Sequence, residues 1–128
     1  MKQFKGLVIK PGGEPPQVEI FTTFEQVQRT VEGFVDRIEL GIDVFGSVDV
    51  LVNEDGKQTL PINVEATKLL ANRLFWGDFV CGTVVVAGEK NGEWRDVPHE
   101  LVQAVQGKAH TLMFPGTLGG DGVGVVIT

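Results

Sequence analysis

VDVLVNEDGKQTLPIN, running from Val48 to Asn63, is the stretch from which the fold is read. Val48, Val50 and Val52 alternate with Asp49, Leu51 and Asn53, the period of a strand with one aliphatic and one mixed face. Asp55-Gly56 follows as a tight turn whose glycine takes a positive φ, and Leu60-Pro61-Ile62-Asn63 leads into a helix with Glu65 in its first turn. Strand, return and capped helix follow one another without a gap. The unit is architectural, because it holds no nucleophile, base and orienting group in a workable order.

Downstream, Ala66, Leu69, Leu70 and Leu74 recur at helical spacing, with Asn63 or its neighbour as N-cap and Gly77 as the stop. Phe79 to Ala87 (FVCGTVVVA) is rich in β-branched residues and reads as a central strand covered on both faces. Lys90-Asn91-Gly92-Glu93 is a turn, and Pro98 opens a short helix through Leu101, Val102, Ala104 and Val105 that Gly107 closes. His110 to Phe114 reads as a further strand, Thr117 to Gly124 as a flexible glycine-rich turn, and Val125 to Ile127 as a terminal strand.

Upstream, Phe4–Lys10 and Gln17–Phe21 form a hairpin around the stiff Pro11–Pro16 loop. Thr22 and Glu25 make a capping box for a helix from Thr23 to Glu32, with Phe24, Val27, Val31 and Phe34 on one stripe and Gly33 as the residue after the end. Phe34 to Leu40 is a half-buried strand with Phe34, Ile38 and Leu40 inward. The expected class is therefore α+β: a single domain over residues 1–128, with a mixed or antiparallel sheet of five or more strands and two or three helices on one face.

The chain has 128 residues, enough for one core without disulfides or metal, and 17 acidic against 11 basic side chains give a net charge of −6. The acids are spread along the chain, so direct nucleic-acid binding is not expected. No apolar run approaches the roughly 20 residues that span a bilayer, so no membrane association is expected. The lone Cys81 cannot form an internal disulfide, and the N-terminus opens on a strand pattern where a signal peptide would have its apolar run, which points to a cytoplasmic protein.

Chemistry-bearing constellations are sparse. His99, His110 and Cys81 do not make a zinc set, and Asn53-Glu54-Asp55-Gly56 lacks the spacing and distal glutamate of a calcium loop, so neither metal nor cofactor is expected. Cys81 in an apolar strand reads as a small hydrophobe, and Ser47, the only serine, lacks the nucleophile-elbow context. The glycine-rich run Gly116–Gly124 is followed by neither GK[ST] nor a helix, so it is a turn in preference to a phosphate loop. The carboxylate pairs Glu54 with Asp55, Glu89 with Glu93 and Asp36 with Glu39 read as solvated charges, and no catalytic residue is assigned. The acids of the first half are interspersed with Lys5, Lys10, Arg29, Arg37 and Lys57, which weighs against nucleic-acid mimicry. Trp76 and Trp94 flank the long strand and suit either a core edge or a ligand pocket.

Taken in order, KGLVIKPGGEP, VEGF, RIEL, VDVLVNEDGK, LPIN and GDFVCGTVVVAG make the chain resemble the bacterial and phage DUF3846 domain family. The resemblance spans Phe4 to Gly88, departs from the family at Ile62, where a second proline is usual, and leaves residues 93–128 as a C-terminal elaboration. It implies one compact domain and, through the occurrence of the family in phages and mobile elements, an accessory role that includes action against host defences.

The expected function is accordingly non-enzymatic: binding to a host protein by a homo-oligomer, with the Val123–Ile127 strand swapped across a two-fold axis by a Gly119-Gly120-Asp121-Gly122 hinge. One alternative is a small-molecule binder, in which Trp76, Trp94, Gly119, Gly120, Asp121 and Gly122 enclose a nucleotide-like ligand. Another is an acidic nucleic-acid mimic.

Overall fold

The run Val84-Val85-Val86-Ala87-Gly88 is buried on both sides, and the strand it begins, β5 (Val84–Lys90), is the axis of the sheet. A computed structural model describes residues 1–40, 46–71, 74, 78–107, 111–112 and 125–126. On one side of β5 lies β4 (Val48–Asn53), then β3 (Val35–Glu39); on the other lies β1 (Phe4–Ile9), then β2 (Gln17–Phe21), and all these pairings are antiparallel. β6 (Glu93–Arg95) pairs with the far end of β5 through the Asn91-Gly92 turn. Both turn residues have positive φ, 53° and 81°, as a primed two-residue hairpin requires. The result is a six-stranded antiparallel α+β sheet.

Strand alternation sorts the apolar residues onto two faces. Leu7, Ile9, Val48, Val50, Val52, Val84 and Val86 face the helices α3 (Val64–Leu69) and α4 (His99–Val105), which contribute Ala66, Leu69, Leu101, Val102, Ala104 and Val105. Phe4, Val8, Leu51, Val85 and Ala87 face the other way, against Val27 and Val31 of α1 (Phe24–Val31). Two helices on one face agree with expectation, but the first helix does not join them. The mixed faces of β4 and β5 carry Leu51, Val85 and Ala87, too much apolar surface to leave wet, and the amphipathic α1 covers it.

Local readings also shift. The capping box forms one residue later, with Thr23 and Gln26 as its partners in place of Thr22 and Glu25. Glu32, not Gly33, takes the left-handed conformation at the helix end. Gly33 is needed for proximity: a Cβ there would lie 2.7 Å from the Asn53 amide nitrogen that caps the Val31 and Glu32 carbonyls. Phe34, expected in the core, is 70% exposed just before β3. The segment from Phe79 to Thr83 is not strand, apart from a bridge between Cys81 and Ile62, because Gly82 at φ 85° breaks the extended run. Cys81 is buried, as expected. The terminal strand β8 (Val125–Val126) pairs within the chain, with β7 (Thr111–Leu112).

Asp55-Gly56 is the largest revision. It is not a hairpin turn: Asp55 precedes a one-turn helix, α2 (Gly56–Thr59), and Gly56 has no positive φ. Its glycine is required by crowding, since a Cβ would sit 2.8 Å from the Cys81 carbonyl oxygen. Gly56→Ala gains helix propensity but must push the Cys81 backbone away, so we expect a net loss of about 1–2 kcal/mol, read from the urea midpoint. An unchanged midpoint would show that the Cys81 segment yields freely.

Candidate functional site

At the end of the sheet where β3 finishes and β4 begins, a charged residue sits where the pattern calls for an aliphatic one. Asp49 lies between Val48 and Val50, opposite Glu39 on β3 and Ala87 on β5, and only 1% of it is exposed. Arg37, two pairs further along β3 and on the same face, reaches back so that its guanidinium donates to both carboxylate oxygens, at 3.3 and 3.4 Å. The indole of Trp94 on β6 lies beside the same carboxylate and favours its charged form. A buried carboxylate needs such partners, and here they come from strands on either side of the β4–β5 pair.

Around this anchor opens a cleft of roughly 500 Å3 lined by Arg37, Glu39, Asp49, Glu89, Gly92 and Trp94. Glu89, at the end of β5, is held rigidly: Ser47 Oγ donates to it at 2.7 Å and the Gly92 amide at 2.8 Å. Those two bonds hold its carboxyl below the usual range. Glu39 is exposed at the rim and has no ion-pair partner among the described residues. Three carboxylates therefore share one guanidinium, and that guanidinium is engaged by Asp49.

Burial pushes the Asp49 carboxyl above its ordinary range; Arg37 and the Trp94 indole oppose this, and the charge on Glu89 adds to it. A carboxyl raised in the folded state binds its proton there at a pH where the unfolded chain has already released it. As pH rises from the ordinary carboxylate range through the folded value, Asp49 therefore costs the fold stability. Asp49→Asn is expected to be at least as stable as the parent at pH 7, with the difference between the two shrinking as pH falls toward about 4. Denaturation curves across that window check this; a constant difference would remove the effect from Asp49.

A second cleft, about 320 Å3, lies on the opposite face beside Ile38, Val52, Phe79 and Cys81. Its cation is already spent internally: Lys57 pairs with Asp78 and lies 5.2 Å from the centre of the Phe79 ring. The Lys57 bond, with help from the Phe79 amide, holds Asp78 below the usual carboxylate range. No group of three or more His, Cys, Asp or Glu among the described residues is arranged to hold a metal ion. No helix among the described residues is long and apolar enough to cross a membrane.

Of the ligand residues expected from sequence, Trp94 is in the polar cleft; Trp76, Gly119, Gly120, Asp121 and Gly122 lie outside the described residues. Arg37, Glu39, Asp49 and Glu89 were missed as a group. Sequence proximity pairs Glu39 with Asp36 and Glu89 with Glu93, whereas strand register sets Glu39 opposite Asp49 and Glu89 opposite Trp94. The signal was Asp49 itself, the one charge in VDVLV, once both faces of that strand are taken as buried.

Residues 1–110 match the family described as a domain of unknown function, DUF3846, and the chain belongs to that family. The match runs past Gly88 to take in β6 and α4, and with them Glu89, Gly92 and Trp94. No curated protein and no solved structure matches the chain.

Proposed function

We propose that the protein acts by binding and not by catalysis, and that the cleft beside Asp49 receives a basic group, an ammonium or guanidinium, of its ligand. The observation that carries this is the charge of the cleft: Glu39 and Glu89 are left without a cationic side-chain partner while Asp49 occupies Arg37. Asp49 itself is too deeply buried, and too fully engaged by its two partners, to deliver a proton to a substrate. Its role is to position: it holds Arg37 and Trp94 as the walls between which Glu39 and Glu89 face the ligand. Trp94 adds an aromatic surface, which attracts cations. A nucleotide-like ligand would bring its phosphates against three carboxylates, so the electrostatics favour the opposite sign.

The accessory, anti-defence setting implied by the family resemblance is compatible with such a site, the basic group then belonging to a host molecule. Val18 and Ile20, exposed on the edge strand β2, supply a surface for a protein partner in that setting. The test is an NMR titration read at the indole N–H of Trp94, with ethylamine and guanidine as basic probes and AMP as the anionic one. Saturable shifts with the basic probes, abolished by Glu39→Gln combined with Glu89→Gln, are expected. Saturation by AMP and not by the amines would overturn the reading.

A further inference from the structure

Trp94 has a second cavity on its other flank. Met1, Lys2, Phe24, Gly92, Glu93 and Trp94 line a groove of roughly 410 Å3 that shares Gly92 and Trp94 with the polar cleft. Its wall is an aromatic ledge: Phe24 stacks on Trp94 with ring centres 6.0 Å apart and planes 20° from parallel. Phe4 supports Trp94 from behind, edge to face at 5.9 Å. Phe24 is 42% exposed, although the helix it opens has Val27 and Val31 to bury instead. Trp94 is thus the partition between a carboxylate-lined compartment and an apolar one.

We infer that the ligand is a small molecule in which one ammonium or guanidinium is joined by a short linker to an aromatic or branched apolar body, the basic end lying by Glu39 and Glu89 and the body along Phe24, Trp94 and Met1. This rests on the reading of the cleft as a basic-group site and adds the other half of the ligand. Charge complementarity sets the basic end, and the ledge sets the body, since aromatic surface is favoured against offset aromatic rings. The two compartments together stay within the ~300–1,000 Å3 typical of small-molecule sites, which is why a compact ligand is chosen over a protein segment. Lys2 and Glu93 line the apolar compartment with opposite charges, so it adds no demand for a second charge on the ligand.

The experiment compares phenethylamine, ethylamine, phenethyl alcohol and the blocked dipeptide acetyl-Phe-Lys-amide by the same NMR titration on the full chain. Phenethylamine is expected to bind about tenfold more tightly than ethylamine, a gain that burial of a phenyl ring readily supplies. Phe24→Ala should erase that gain, so that phenethylamine and ethylamine bind the variant about equally; a spectrum with native dispersion confirms that the exposed position tolerates the change. Equal affinity for the two amines overturns the inference and leaves the basic-group reading standing. No response to either amine removes both. Phenethyl alcohol binding as tightly as phenethylamine overturns the two-compartment ligand, and a dipeptide that binds more tightly than phenethylamine replaces the small molecule with a peptide.

Discussion

Asn63→Ala is expected to lower the free energy of unfolding by about 3 kcal/mol, and Asn63→Asp by more at neutral pH. Asn63 is fully buried, and its side chain ties three separate segments together. Nδ2 donates to the Ile9 carbonyl at the end of β1 and to the Gly82 carbonyl, both at 2.9 Å, while Oδ1 accepts from the Ala66 amide and caps α3. Its own backbone amide donates to Val80. Alanine removes the cap, worth about 1 kcal/mol, and strands two buried carbonyls, worth a further ~1–3 kcal/mol. Aspartate keeps the cap but turns a carboxylate oxygen toward those two carbonyl oxygens, so it must take up a proton to fit. Its carboxyl would be raised in the folded state, and the defect of Asn63→Asp should therefore ease as pH falls toward about 4. Urea denaturation at the two pH values is the measurement. An aspartate tolerated at pH 7 would mean that Nδ2 does not bridge the carbonyls.

The second large effect is expected at Gly88, where Gly88→Ala should cost about 2–3 kcal/mol. Gly88 faces Val48 on one side and Arg95 on the other, at the junction where β6 takes the place of β1 along the edge of β5. A Cβ there would lie 2.5 Å from the Asp96 carbonyl oxygen. Backbone must move to relieve it, and that backbone is pinned: Asp96 Oδ1 accepts from the Lys5 amide, and the Val97 amide donates to the Lys5 carbonyl, each at 2.8 Å. Gly92→Ala is the control, because Gly92 has open space around it and only its positive φ opposes a side chain, a cost of about 1 kcal/mol. Thermal melts of the two variants should rank Gly88→Ala well below Gly92→Ala. The reverse order would place the strain in the turn and not at the strand junction. Because Gly88 sets where β6 lies, its substitution should also displace Trp94 and weaken both compartments beside it.

These positions mark where sequence reasoning reaches its limit. An N-cap at Asn63 or its neighbour was legible from a polar residue before Ala66, Leu69 and Leu70, since capping is a local competition between a side chain and the first free amides. That the same amide group also holds Ile9, 54 residues away, is a fact of tertiary placement. The glycines divide in the same manner. Gly107 ends α4 with φ 87°, as its position after an apolar helical stripe implies. Gly56 and Gly88 are small because Cys81 and Asp96 arrive from elsewhere in the chain, and no local pattern announces an approaching carbonyl.

The sequence by itself determined the α+β class, the strands β1 to β4, the helices α1, α3 and α4, the burial of Cys81 and the candidacy of Trp94. Each of these follows from periodicity and turn chemistry over a few neighbouring residues. β6 and α2 went unread, and β5 was started too early. Only the tertiary structure decided that α1 covers the face opposite α3 and α4, and that Asn91-Gly92 is the primed hairpin. It alone decided that Arg37, Glu39, Asp49, Glu89 and Trp94 meet. Strand register is a property of pairs of strands, and it converts charges that are distant in sequence into neighbours across the sheet. Asp49 is buried because two strands and an indole close over it, an environment that the five residues VDVLV contain no means to specify.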